Sequence, residues 1–102
     1  VSETTETIGE WAEGTFGPVN PVDAAHRIMK EAVECAEATS QLVLHGLDAE
    51  EKVRLELADI IITCRRLAYT LGLDVDDAVN IKMAVNRQRK WRLDGRGGGQ
   101  HV

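Results

Sequence analysis

Aromatic side chains are scarce in this chain: one Phe, one Tyr and two Trp among 102 residues. The apolar mass is instead Ala, Val, Leu and Ile, a set that suits helix packing. Cysteine is limited to Cys35 and Cys64. That excludes a disulfide framework and any Cys/His set at zinc spacing. Both cysteines fall in apolar helical stretches and read as buried free thiols, which fits a reducing cytoplasm. No apolar run reaches 18 residues, so the sequence offers no membrane-spanning helix. The opening residues, Val1 to Glu6, are polar and acidic and do not have the pattern of a signal peptide. Strand-like alternation and internal repeats are also absent. The closing glycines are not followed by Gly-Lys-Ser/Thr, so they are no P-loop. His26, His45 and His101 are scattered, and none is assigned to chemistry.

What is present is charge, unevenly placed. The net charge is −5. Residues 82–96 hold six cations (Lys82, Arg87, Arg89, Lys90, Arg92, Arg96) and one acid, Asp94, a net of +5 that leaves −10 on the rest. Such separation fits either an anion meeting the basic segment or cations complementing the C-terminal end of a last helix.

The spacing of apolar residues predicts one domain over 1–102, all-α, a bundle of about four helices with a Gly-rich tail at 93–102. A first amphipathic helix is expected over 4–13, broken by Gly14 to Val19. Asn20-Pro21-Val22-Asp23 is a helix start, with Asn at the cap and Pro at the first position. That second helix runs to about Leu44, with Ala25, Ile28, Ala32, Cys35, Ala36 and Leu42 as its buried stripe and His45-Gly46 as its stop. Asp48 to Glu51 resembles a capping box for a third helix ending before Gly72. This helix is apolar around most of its circumference, as expected of a central element, except for one stripe: Lys52, Glu56, Asp59, Thr63, Arg66. Asp74 caps a fourth helix, expected to reach about Arg92.

Two acidic pairs carry the chemistry. Glu31 and Glu34 are spaced i,i+3, as are Glu56 and Asp59, so each pair shares a helix face. Acidic pairs on a solvated face are common. Glu56 and Asp59 are more informative, because they interrupt a largely apolar helix. Two pairs facing each other would form a four-carboxylate cluster that repels itself unless a hard cation sits within it. An all-oxygen set implies Mg²⁺ or Mn²⁺. Lys82, Asn86 and Arg89 (i, i+4, i+7) make a polar stripe suited to an anion. Trp11 and Phe16 can stack on a base or pack in the core.

Glu31-x-x-Glu34, then Glu56-x-x-Asp59 on the next helix, then Lys82-x-x-x-Asn86-x-x-Arg89, resembles the MazG-like all-α nucleoside triphosphate pyrophosphohydrolases. The resemblance spans roughly residues 8–102. Trp11 to Gly17, Met29 to Glu34 and Lys82 to Trp91 look most like the purine-directed dATP/dGTP branch, which includes phage enzymes of the MazZ type. The resemblance implies metal-dependent hydrolysis of a purine (d)NTP, with dGTP or GTP foremost, to (d)NMP and pyrophosphate. It implies one to three Mg²⁺ or Mn²⁺ ions held by Glu31, Glu34, Glu56 and Asp59, with Glu31 or Glu34 as the base. Lys82, Asn86, Arg89 and Arg96 would hold phosphate, and the nucleobase would lie near Trp11 and Phe16. It also implies a homodimer or homotetramer in the cytoplasm (of the host, for a viral protein), with no membrane or nucleic-acid partner. One departure stands out: many members have Glu-Glu-x-x-Glu, whereas Lys30 precedes Glu31 here. Lys30 is therefore a candidate phosphate contact.

Two other classes stay open on the residues alone. In a non-enzymatic helical oligomerisation module, the acidic stripe would face bulk water and bind no divalent metal. A nucleic-acid binder would use residues 82–96 and show strong salt dependence. The acidic remainder and the shortage of aromatics count against that binder.

Overall fold

Four helices in chain order are followed by a small hairpin in the computed structural model, which describes residues 2–46 and 49–102. Helix α1 spans Thr5–Phe16, α2 Pro21–His45, α3 Glu50–Leu71 and α4 Val75–Gln88. Strands β1 (Trp91–Leu93) and β2 (Gly99–His101) pair antiparallel, with Trp91 opposite His101.

The helix starts follow local chemistry. Thr4 and Thr7 form a reciprocal capping box at α1. At α2, Asn20 Oδ1 accepts from the Val22 amide at 2.8 Å, with Pro21 in the first turn where no amide is required. Asp74 Oδ1 accepts from the Asp77 amide at 3.0 Å and starts α4. The capping box expected for α3 begins at Asp48, outside the described residues; Ala49, before the helix, makes no side-chain cap bond.

Three boundaries differ from expectation. Helix α1 runs through Gly14 to Phe16 and stops at Gly17, whose φ is 82°. A mid-helix glycine weakens a helix but does not end it, whereas a left-handed φ does. Helix α4 ends at Gln88 rather than Arg92, with Arg89 already extended. Two donors compete for the last turn there: the Arg89 amide and Trp91 Nε1–H both donate to the Asn86 carbonyl. Arg89 therefore leaves the stripe of Lys82 and Asn86. The Gly-rich tail is not structureless either. Asp94 Oδ1 accepts from the Arg96 and Gly98 amides, and the Val102 amide donates to the Lys90 carbonyl, closing the hairpin.

Both α2 and α1 pack on α3, but the apolar circumference expected to be covered is not: among the described residues α3 buries only Ala68, because within one chain no element packs on its other sides. The buried line of α2 is Ala24, Glu31, Cys35 and Ala38, with Ile28 and Leu42 half-buried. Ala25, Ala32 and Ala36, expected in that line, are exposed. The true stripe thus keeps the 3.6-residue period by passing through an acid. At the α1–α3 crossing, Gly9 is buried against Tyr69, and a Cβ at Gly9 would overlap the Tyr69 ring.

Helix α4 buries none of its residues. Its link to the body includes Arg65, which pairs with Asp76 at 3.0 Å and donates to Thr5 Oγ1. The radius of gyration, 16.2 Å, exceeds the ~13 Å expected for a domain of this length. Val79, Ile81, Met83 and Val85 of α4 are exposed, as are Leu55, Leu57, Ile61 and Ile62 of α3.

Candidate active site

Glu31 occupies a position where the helix pattern calls for an apolar side chain, and it is only 6% exposed. It faces α3, where Glu56 and Asp59 stand one turn apart. One carboxylate oxygen from each of these three residues lies within 4.8 Å of the others. Glu34, one turn further along α2, is near enough for its side chain to contribute to the raised pKa of Glu31. Glu31 therefore converges with the acidic pair of α3.

The electrostatics of the group are unbalanced. Burial, above all, raises the Glu31 carboxyl above its ordinary pKa of 4.5; the neighbouring Glu34 side chain and the charges of Glu34 and Asp59 add to this. Arg27 works the other way, with Nε donating to Glu31 Oε1 at 3.2 Å. Its side chain is largely exposed, so water screens the pair and limits its effect. Glu56 Oε2 is buried with no hydrogen-bond partner. An orphaned carboxylate oxygen beside two other acids fits a hard cation, which takes oxygen ligands at about 2.0–2.2 Å. Only small side-chain movements separate the 4.8 Å spread from the ~4 Å that opposite ligands on one such ion require.

Beside the acids lies a cavity of about 460 Å³. Glu31 and Asp59 line one part; Trp11, Phe16, Val19 and Ile62 give it apolar walls. Trp11 and Phe16 meet edge to face, with centroids 5.6 Å apart. Arg66 closes the lining: its guanidinium sits 5.5 Å from the centre of the Phe16 ring, and Nη2 donates to the Gly17 carbonyl at 2.8 Å.

The predicted residues thus fall into two groups. Glu31, Asp59, Trp11 and Phe16 line one cavity, with Glu56 and Glu34 beside it. Lys82, Asn86, Arg89, Arg96 and Lys30 do not line it. Lys30 and Lys82 are exposed, Asn86 is half-buried with an unpartnered Oδ1, and Arg96 belongs to the hairpin turn. Sequence reasoning assigned no site role to Arg27 or Arg66. Each carried a signal: Arg27 lies four residues before Glu31, and Arg66 ends the polar stripe of α3.

Facing acidic pairs on packed helices, next to an aromatic cavity, place the chain among helical proteins that build metal–carboxylate sites inside a bundle. The MazG-like family model matches residues 24–98, and the chain belongs to the MazG-like family. Over 48 residues the chain is 42% identical to a dATP/dGTP diphosphohydrolase of Cyanophage S-2L. Across all 102 residues it is 31% identical to a dATP/dGTP diphosphohydrolase of Salmonella phage PMBT28. These matches span 46% and 31% of the two relatives' lengths. Among solved structures, the Cyanophage S-2L MazG-like pyrophosphohydrolase bound to dGDP and three catalytic Mn²⁺ ions per active site is similar, with a TM-score of 0.67 and 26% identity. That alignment covers 96% of this chain and 92% of the other. The expected all-α MazG-like fold is thereby borne out. Among the described residues, no helix is long and apolar enough to cross a membrane.

Proposed function

We propose that the chain is a divalent-metal-dependent pyrophosphohydrolase of purine (d)NTPs, acting foremost on dGTP or GTP and releasing (d)NMP and pyrophosphate. The observation that carries this reading is the convergence of Glu31, Glu56 and Asp59 beside a cavity walled by Trp11 and Phe16. The phage relatives act on dATP and dGTP by name, and the similar structure holds dGDP with Mn²⁺.

In this reading Glu31, Glu34, Glu56 and Asp59 hold one to three Mg²⁺ or Mn²⁺ ions. When bound, the metal supplies a water of lowered pKa and neutralises charge on the phosphates. Glu31 or Glu34 is the candidate base for the attacking water. Trp11 and Phe16 flank the nucleobase and keep water from it. Lys82, Asn86 and Arg89, with Arg96 and Lys30, remain the candidates for phosphate contacts, which require α4 and the hairpin to meet the acidic groove. Charge favours that meeting: the basic segment carries +5 and the rest of the chain −10.

A second copy supplies the remaining need. The exposed apolar faces of α3 and α4 leave a thin domain short of core, and a homodimer or homotetramer covers them. Light scattering is expected to give a multiple of 11.2 kDa, and Leu57→Asp with Ile81→Asp to give a monomer; a monomeric wild type would remove this part of the reading. Conversion in the host cytoplasm, without membrane or nucleic-acid partners, completes the proposal.

The deciding assay is pyrophosphate release from each common (d)NTP, with Mg²⁺, Mn²⁺ or EDTA, for wild type and Glu56→Ala. Metal-dependent release lost in Glu56→Ala supports the reading. No turnover with either metal overturns it in favour of a helical oligomerisation module.

A further inference from the structure

Arg66 lines the cavity with Asp23 and Thr63, and among the described residues it is the cation there that neither metal binding nor an ion pair employs. It lies seven residues beyond Asp59 on α3, hence on the same face, two turns or ~10 Å further along the axis. Its guanidinium is fixed from two sides, by the Phe16 ring and by the Gly17 carbonyl. No carboxylate pairs with it among the described residues, and its buried Nε donates to no partner. A charged group with an unused buried donor is costly to keep. The cost is removed by a ligand acceptor at that end of the cavity.

A nucleotide whose phosphates lie at the acids reaches about this far with its base, and the base would then lie along the aromatic walls near Arg66. Guanine presents two adjacent acceptors, O6 and N7, on the edge that matches a guanidinium fork. Adenine offers N7 beside the N6 amino group, a donor that opposes Arg66. Pyrimidines have no N7.

We infer that Arg66 is the specificity-determining residue of the cavity, donating to the O6/N7 edge of guanine and so favouring guanine over adenine nucleotides. This assignment rests on the nucleotide-hydrolase reading above.

The experiment compares dGTP, 7-deaza-dGTP and dATP as substrates for wild type, Arg66→Met and Arg66→Lys. For wild type, kcat/KM is expected to fall about 5- to 150-fold, mostly through KM, for each of the two analogues. In Arg66→Met the three substrates are expected to converge, with dGTP losing most and dATP least. A uniform loss across all three marks a phosphate contact and overturns the assignment, as does wild-type turnover of 7-deaza-dGTP at dGTP's own efficiency. Should Arg66→Met fail to fold, Arg66→Lys, which retains the charge while losing the fork, carries the same comparison: discrimination among the three substrates as strong as in wild type overturns the assignment, and its loss supports it. Each of these overturning results leaves the hydrolase reading standing. Absence of turnover of every nucleotide overturns both.

Discussion

Glu31→Gln is expected to abolish metal-dependent pyrophosphate release and, in the same protein, to raise thermal stability in the absence of metal. The two effects share one cause. Glu31 is a buried carboxyl whose pKa is raised by burial and by its acidic neighbours, so its ionised form is a strain on the fold that only a cation relieves. Above the ordinary pKa of 4.5 the unfolded chain releases this proton while the folded chain still holds it. Metal-free stability therefore falls as pH rises from there through the raised folded value. The Gln side chain removes that slope and still offers Arg27 an oxygen to bond. It removes one charged ligand, and the expected loss of activity exceeds the roughly 10–100-fold typical of an outer partner of a metal ligand. Melting curves with and without Mn²⁺ across pH 5–8 test this. In wild type the stabilisation by Mn²⁺ is expected to grow with pH, since the ion needs Glu31 ionised; in Glu31→Gln it is expected to be small and flat. A variant less stable than wild type at neutral pH without metal would refute the account of Glu31.

That coupling explains what could be read in the chain and what could not. The acidic pairs were legible because i,i+3 spacing is a local property of a helix, and Glu56 and Asp59 interrupt an apolar one. The caps at Asn20 and Asp74 were equally local. The burial of Glu31 was not legible: an acid scored as polar shifted the expected stripe of α2 onto Ala25, Ala32 and Ala36, whereas the packed line runs through Glu31 itself. The early end of α4 was hidden because it depends on Trp91 and the hairpin, contacts made beyond the helix. Arg66 sat in plain view on the α3 stripe. Its role needed the position of Phe16, which depends on α1 continuing through Gly14. The phosphate stripe has the least support from one chain, because α4 packs so little against the other helices.

Gly9→Ala is expected to release α1 from α3, although alanine is the better helix former. Propensity alone favours the substitution by about 1 kcal/mol. Sterics oppose it: the new Cβ would fall on the Tyr69 ring, and inserting atoms into a packed contact costs typically 1–3 kcal/mol. Here the obstacle is a ring held in a helix crossing rather than a flexible side-chain end, so the steric cost wins. Helix α1 buries only Thr5, Ile8, Gly9 and Ala12. At 12 residues, it has little stability once undocked. Trp11 and Phe16 would then leave the cavity, while Glu31, Glu56 and Asp59, carried by α2 and α3, would stay together. The expected signature is split: nucleotide KM rises at least about tenfold, the loss of ~1.4 kcal/mol of binding, while Mn²⁺ still stabilises the protein. Truncating the opposing ring in Gly9→Ala/Tyr69→Ala is expected to restore part of the KM, a coupling a double-mutant cycle measures. Strict additivity of the two substitutions would mean that Gly9 is needed for something other than room for Tyr69. Equal loss of metal and nucleotide binding would mean that the aromatic wall and the acidic cluster fold as one unit rather than as two joined at α3.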